Sequence, residues 1–189
     1  ALAAPLLACS ATRRLRLMEV AQVEELKAKI QDVPDWPEPG IVFKDIMPLL
    51  ADADGLRQTI DLLGEWAEER RPQVVIGGEA RGFFIGSAIA YKLGCGFVPA
   101  RRPGKLPLET ISAEYALEYG RNTLELRADA FAGGTRVLIH DDVLATGGTS
   151  KAMADLVEQL GGEIVGMAFL IELDFLKGRE KLSDYEVFS

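Results

Sequence analysis

The stretch that decides the fold is VLIHDDVLATGGTSKA, residues 137–152. It begins as an apolar strand, continues into two adjacent carboxylates, and then enters a small turn rich in glycine and threonine that opens a helix. Consecutive amides at a helix N-terminus point outward in a positive dipole, so such a turn binds a phosphate without needing lysine. Its glycines allow close approach of a ligand, and the hydroxyls of Thr146 and Thr149 add donors.

The two carboxylates, Asp141 and Asp142, stand just before this turn and about one sugar away from the expected phosphate. There they can accept hydrogen bonds from ribose hydroxyls or hold a hydrated Mg²⁺. A phosphate and a diol together indicate a ribose 5-phosphate. The alternative is a plain strand-turn-helix connection with a solvated pair of aspartates, because glycine and threonine turns are common.

Strands and helices alternate on both sides of this stretch. Apolar runs predict buried strands at residues 73–78, 95–100 and 163–173, and helical spacing predicts helices at residues 83–93 and 152–160. The alternation predicts an α/β fold with a mostly parallel sheet, helices on both faces, and ligands at the carboxyl ends of the strands. Residues 110–127 predict an antiparallel hairpin that stands apart from this sheet.

The first seventy residues predict two helices separated by a loop. Apolar positions at helical spacing indicate a helix from Glu19 to Ile30, which the proline-rich residues 33–40 end. Asp54 is the expected N-cap of a second helix that covers about residues 55–70. The intervening stretch GIVFKDI, residues 40–46, is expected to be a loop.

Composition and charge exclude several function classes. Lys and Arg total 21 against 29 Asp and Glu, so the net charge of −8 has the wrong sign for binding nucleic acid mainly through phosphate attraction. The cysteines Cys9 and Cys95 lack metal-type spacing and indicate a reducing, cytoplasmic setting, while the single His140 argues against a zinc site or a Ser-His-Asp triad. No apolar run approaches the roughly 20 residues that cross a bilayer. Residues 1–17 are interpreted as an extension before one domain at 18–189, with organellar targeting as the alternative.

Two motifs resemble those of the type I phosphoribosyltransferases. VLIHDDVLATGGT, residues 137–149, is similar to the motif with which that family binds PRPP (5-phosphoribosyl 1-pyrophosphate), and GGEARGF, residues 77–83, is similar to its pyrophosphate loop. The resemblance implies the type I phosphoribosyltransferase fold, with a small antiparallel hood, and a non-proline cis peptide in the second loop. It assigns the ribose 5-phosphate to Asp141, Asp142, Ala145, Thr146, Gly147, Gly148 and Thr149. It assigns the pyrophosphate to Glu79, Ala80, Arg81, Gly82, Arg101 and Lys105.

Further segments are similar to the members of that family that use adenine. These segments are residues 33–50, 100–107 and 114–126. The resemblance implies that Phe43 stacks on the purine while backbone groups of Val42 and Lys44 read its edge. Backbone reading suits adenine, because its exocyclic amine is a donor where hypoxanthine and guanine carry an acceptor, and a mispaired buried polar group costs about 1 to 3 kcal/mol.

The resemblance also implies a reaction. The 5-phosphoribosyl group of PRPP passes to N9 of adenine, which gives AMP and pyrophosphate and salvages the purine. Glu118 would manage the proton on the base and Tyr119 would help to close the site. Mg²⁺ would be chelated mainly by PRPP, with no direct protein ligand and at most a water bridge to Asp141 and Asp142. A homodimer is implied as well, in which Arg101 and Lys105 act within their own subunit or across the dimer.

Alternatives stay open on the residues alone. Phe43 also fits a core, Glu118 a solvent-facing strand, Arg81 a surface helix start, and Arg101 and Lys105 a solvated basic loop. One rival function is a phosphoribosyltransferase for another purine base, and another is a PRPP-sensing regulator that binds nucleic acid, against which the charge argues. Lys44 stands where many relatives have Arg, and His140 stands where an aliphatic residue is usual and is expected to have no catalytic role.

Overall fold

A computed structural model of the chain describes residues 21–116 and 121–189. Residues 1–17, interpreted above as an extension, and the two hairpin residues Glu118 and Tyr119 lie outside the described residues. The chain divides into two compact units, Ala1–Thr59 and Ile60–Ser189. No helix in the described part of the chain is both long enough and apolar enough to cross a membrane.

The first unit contains short helices and a two-stranded sheet. Its elements are helix α1, which includes residues 21–27, strands β1 (Gln31–Pro34) and β2 (Val42–Asp45), helix α2 (Met47–Ala51) and the start of helix α3 (Ala53–Glu68). The strands pair antiparallel, with Val33 opposite Phe43. The expectation of a loop across residues 40–46 is therefore wrong. Pro34 tolerates a strand because it lies at the end of β1, where a missing amide disturbs the ladder least.

The start of α3 also differs from the sequence-based expectation. Asp52 caps this helix, because its Oδ1 accepts a hydrogen bond from the amide of Gly55 at 2.7 Å. The prediction that Asp54 is the cap is wrong: Asp54 lies inside the first turn, where it forms an ion pair with Arg57. Asp52 and Asp54 both match the sequence pattern of an N-cap residue. Which of them caps α3 depends on where the preceding helix α2 ends.

The second unit is built on a five-stranded sheet. Its strands are β3 (Val74–Gly78), β4 (Gly96–Ala100), β7 (Arg136–Leu144), β8 (Glu163–Glu172) and β9 (Val187–Phe188). Their order is β4-β3-β7-β8-β9, and all neighbouring strands run parallel. Helices α4 (Gly82–Leu93) and α5 (Gly148–Gln159) flank the sheet. This confirms the predicted α/β class; the two-residue strand β9 was not anticipated.

The core lies between this sheet, α5 and an antiparallel hairpin. Strands β5 (Thr110–Ala116) and β6 (Arg121–Arg127) form the hairpin, which is a sheet of its own, as predicted. Its apolar residues Leu124 and Leu126 pack in one buried cluster with residues of β7 and α5. The burial of these apolar side chains holds the hairpin and the central sheet together.

Candidate active site

Two loops leave the sheet at the carboxyl ends of adjacent parallel strands. Residues 79–81 connect β3 to α4, and residues 145–147 connect β7 to α5. Because β3 and β7 are hydrogen-bonded neighbours, both loops emerge at the same edge of the sheet. This edge is where open α/β sheets bind their ligands.

Asp141 lies between these loops. A Cβ on Gly78 or on Gly82 would come within 2.9 Å of its carboxylate oxygens, so both glycines leave room for the carboxylate. Its Oδ1 also accepts a hydrogen bond from the amide of Asp142 at 3.0 Å. Burial and the neighbouring charge of Asp142 raise the pKa of Asp141 well above its usual range.

Asp142 joins the two loops through an ion pair. Its side chain is only 6% exposed, and its Oδ2 lies 3.0 Å from Nε of Arg81, which comes from the β3–α4 connection. Burial raises the pKa of Asp142, although the Arg81 guanidinium opposes part of that rise. The structure thus brings together Asp142, which was predicted to bind the ribose, and Arg81, which was predicted to bind the pyrophosphate.

A second ion pair orders the β3–α4 connection. Nε of Arg101, just after β4, lies 3.1 Å from Oε2 of Glu79, which also accepts the amide of Arg102 at 2.8 Å. The hydrogen bond from Arg101 lowers the pKa of Glu79. The Glu79–Ala80 peptide is cis, as the resemblance implied. Lys105 is exposed to solvent on the same segment as Arg101.

The β7–α5 connection is built almost entirely from backbone. Gly147 is the N-cap residue of α5 in a left-handed conformation, with φ +75°, and no side chain caps the helix. Thr146 and Thr149 are half-buried, Gly147 and Gly148 are buried, and Ala145 precedes them without any charged group. The amides at the start of α5 can therefore bind an anion through helix geometry alone, without charged side chains.

One contact of this loop had no signal in the sequence. The backbone of Gly178, in the C-terminal part of the chain, lies against Ala145 and Gly147. Sequence reasoning missed it, because a lone glycine after Lys177 gives no indication of a partner some thirty residues earlier. This contact is visible only in the folded structure.

The predicted base-binding residues lie on β2 in the first unit. The Phe43 ring meets the Trp36 ring edge to face, with centroids 4.3 Å apart. Lys44 directs its ammonium to Asp32 of the paired strand, and Val42 is about half exposed. Their contact with a base stays a prediction, as do the roles of Glu118 and Tyr119, which lie outside the described residues.

His140 immediately precedes the two aspartates but lies in the interior. Its Nδ1 is 2.9 Å from the carbonyl oxygen of Ala168 on β8, and its Nε2 has no hydrogen-bond partner among the described residues. Burial lowers the pKa of His140 to about 4, so the ring is neutral at neutral pH. Its lack of a catalytic role stays a prediction.

Comparison with known proteins identifies the family. The family model described as phosphoribosyl transferase domain matches residues 44–189. A protein of Clostridium perfringens named adenine phosphoribosyltransferase is 55% identical over 164 residues, which cover 87% of this chain and 95% of the relative. One of the same name from Geobacter metallireducens is 56% identical and covers 88% of this chain and 98% of the relative. The chain belongs to the adenine phosphoribosyltransferase family.

Solved structures of adenine phosphoribosyltransferases share the fold. The crystal structure of the enzyme from Thermoanaerobacter pseudethanolicus has a TM-score of 0.85 and 52% identity, and covers 87% of this chain and 96% of that chain. The Saccharomyces cerevisiae enzyme, crystallised with adenine and an imino-altritol bisphosphate, has a TM-score of 0.86, 39% identity, and covers 90% and 98%. Like the other adenine phosphoribosyltransferases, the chain is a glycosyltransferase that transfers the phosphoribosyl group of PRPP to adenine. The adenine prediction is confirmed over the alternatives of another purine base and a PRPP sensor.

Proposed function

We propose that the two connections between β3 and α4 and between β7 and α5 bind the two ends of PRPP. Residues 145–149 hold the 5-phosphate, Asp141 and Asp142 accept hydrogen bonds from the ribose hydroxyls, and residues 79–82 hold the pyrophosphate. The observation that carries this proposal is the Arg81–Asp142 ion pair, with 3.0 Å between Nε and Oδ2. In PRPP the pyrophosphate on C1 likewise lies next to the ribose hydroxyls, so the residues that bind these two groups should also be neighbours.

The cations near the β3–α4 connection stabilise the leaving group. Pyrophosphate gains negative charge as its bond to C1 of the ribose breaks, and Arg81, Arg101 and Lys105 are the side chains that neutralise it. Arg81 and Arg101 are already oriented by Asp142 and Glu79, so little side-chain motion is needed before they meet a phosphate oxygen. The catalytic contribution of the protein is thus positioning and charge neutralisation, without a covalent nucleophile.

The acidic pair fits a hydrated Mg²⁺ that is chelated by PRPP. Mg²⁺ takes oxygen ligands and keeps several waters, and Asp141 and Asp142 offer carboxylate oxygens for those waters. Burial raises the pKa of both carboxyls, and for Asp141 the neighbouring charge of Asp142 adds to the rise; a nearby cation favours the charged form of each. When bound, the ion supplies further neutralisation of the pyrophosphate charge. We therefore place Mg²⁺ with the substrate, without a direct protein ligand.

The residues that bind the base lie on β2. Phe43 stacks on adenine, and the backbone of Val42 and Lys44 reads its edge. In the described residues β2 pairs only with β1, so its other edge offers peptide groups for this purpose. Glu118 takes the proton from the imidazole of the base as N9 attacks, and Tyr119 closes the site over the reacting atoms. The yeast relative, which binds adenine in its crystal, supports a base site in this family.

We also propose a homodimer in the cytoplasm, formed by residues 18–189 as one catalytic domain with residues 1–17 as an extension. The exposed aromatic side chains Phe84 and Tyr91, which lie seven residues apart on one face of α4, support self-association. The free thiol of Cys95 is compatible with a reducing compartment. Light scattering of the purified chain tests the dimer, and a monomeric mass at enzyme assay concentrations contradicts it.

The function is tested by product formation with PRPP and Mg²⁺ and with adenine, guanine, hypoxanthine and xanthine in separate reactions. AMP formation from adenine alone is the expected result. Glu118→Ala should then lower kcat while the KM for PRPP changes little, whereas Glu109→Ala, an exposed glutamate before the same hairpin, should leave kcat unchanged. A normal kcat in Glu118→Ala removes the proposed role of this carboxylate.

A further inference from the structure

The backbone around Gly178 packs directly against the proposed phosphate loop. A Cβ on Gly178 would overlap the carbonyl oxygen of Ala145 and lie 3.0 Å from the amide nitrogen of Gly147. In the other direction, a Cβ on Gly147 would lie 2.5 Å from the carbonyl oxygen of Gly178. Real Cβ atoms do not approach other heavy atoms this closely, so neither position accepts a side chain without moving the loop.

The reason for glycine differs at the two positions. Gly147 adopts φ +75°, a conformation that favours glycine whatever its surroundings. Gly178 has no such requirement, since its φ lies outside the left-handed range, whereas its neighbour Lys177 adopts φ +53° with a full side chain. The close contact with residues 145–147 is therefore the feature of the structure that excludes a side chain at position 178.

The segment that carries Gly178 is firmly attached on both sides. The amide of Leu173 donates to the carbonyl of Leu144 at 2.9 Å, and Leu182 is fully buried in the core. Between them, Nε of Arg179 donates to Glu172 at 2.9 Å. A segment held in this way resists displacement and limits how far the loop can move away from the start of α5.

We propose that Gly178 is a positioning residue for the 5-phosphate. It touches neither the substrate nor the reacting atoms; its backbone fixes residues 145–147 so that the amides at the start of α5 point to one place. A site made of backbone amides loses affinity when those amides are misaligned, because hydrogen bonds weaken steeply with angle. This inference rests on the proposed function, which puts the 5-phosphate at that loop.

The test compares Gly178→Ala with two control variants. Gly178→Ala should raise the KM for PRPP and the Kd for AMP by about tenfold or more, the effect of losing one charge-assisted hydrogen bond, while the Kd for inorganic pyrophosphate stays within about twofold. Gly133→Ala, where the new Cβ meets nothing closer than 3.9 Å, and Lys177→Gly should change none of these constants. Equal weakening of AMP and pyrophosphate, no weakening of AMP, or the same loss in a control overturns the proposal.

Hydrogen exchange of the unmodified protein gives a second test that does not depend on a folded variant. Amides of residues 174–182 should gain protection when AMP binds and should not respond to inorganic pyrophosphate. Unchanged exchange with AMP contradicts the inference. Failure of the proposed function is recognised separately, because Asp142→Asn would then use PRPP normally; a defective Asp142→Asn with a normal Gly178→Ala rejects only the role of Gly178.

Discussion

The two loops at the carboxyl ends of β3 and β7, both proposed to bind phosphate groups, are built by different means. The β3–α4 connection carries charged side chains, Glu79 and Arg81, each paired with a residue from a neighbouring strand. The β7–α5 connection, residues 145–147, carries no charged side chain and relies on the amides at the start of α5. Pyrophosphate is therefore expected to be held mainly by charge, and the 5-phosphate mainly by backbone geometry.

The difference follows from what happens to each phosphate in the reaction. The 5-phosphate keeps its charge throughout, so a rigid backbone cradle serves it in every state. The pyrophosphate gains charge as it leaves, and the full positive charges of preoriented guanidinium groups stabilise that gain more than the partial charges of backbone amides do. Substitutions that remove charge should thus act on the first loop, while substitutions that add volume should act on the second.

Asp142→Asn should have the largest effect, since it removes the carboxylate that joins the two loops. We expect kcat/KM for PRPP to fall by about a hundredfold or more, because hydrogen bonds to a charged group contribute about 1.5 to 3 kcal/mol each and asparagine offers the ribose hydroxyls neither the charge nor the second acceptor oxygen. The variant should remain folded, because asparagine has the same shape as aspartate and carries no buried charge. Asp155→Asn, which affects an ion pair with Lys151 along α5, is the control and should retain normal kinetics. Unchanged PRPP kinetics in Asp142→Asn would refute the ribose assignment.

Arg101→Ala should produce a smaller loss that is confined to the leaving group. Without this guanidinium we expect kcat to drop by about tenfold and the Kd for pyrophosphate to rise similarly, since one charge-assisted contact disappears, while AMP binding is unchanged. Arg102→Ala is a closely matched control, because the hydrogen bond of Arg102 to Glu79 comes from its backbone amide, which alanine keeps. A similar loss of AMP affinity in Arg101→Ala would show that the two loops are not separate in function.

Asp141→Asn should stabilise the fold at neutral pH even as it weakens PRPP binding. A carboxyl with a raised pKa in the folded protein lowers the free energy of unfolding as the pH rises from its unfolded to its folded pKa. The neutral amide escapes this cost, so we expect Tm at pH 7.5 to rise by about 2 to 4 °C, which corresponds to about 1 kcal/mol. The gain should shrink as the pH approaches 4, measured by thermal unfolding. A gain that is independent of pH contradicts the charge argument.

His140→Leu should have the smallest effect on activity, since the ring faces the interior and neither loop. At pH 7.5 we expect kcat and both KM values to stay within about twofold. Its pKa falls from 6.5 to about 4 on folding, so the unfolded chain takes up the proton first and the protein loses stability as the pH decreases through that range. The leucine variant lacks this loss of stability. An equal decrease in the free energy of unfolding of both proteins between pH 7 and pH 4 would contradict this expectation.

Much of the fold could be predicted from the sequence, because the signals are local. The apolar run that ends at Asp141 and the glycine–threonine turn after it predict β7, the loop and the start of α5 within sixteen residues. Strand β3 with its charged loop is predicted in the same way. Where two local solutions compete, as at Asp52 and Asp54 or in the short strand β2, the pattern does not choose correctly, since a few residues carry too little periodicity.

The sequence by itself determined the family, the reaction and the identity of the two loops, because each of these depends on residues that are consecutive in the chain. Only the tertiary structure decided which charges meet, namely that Arg81 pairs with Asp142 and Arg101 with Glu79, and that Gly178 packs against the β7–α5 connection. These contacts join segments twenty to sixty residues apart. Their formation depends on the parallel order of the strands and on the buried core, which no local pattern of residues encodes.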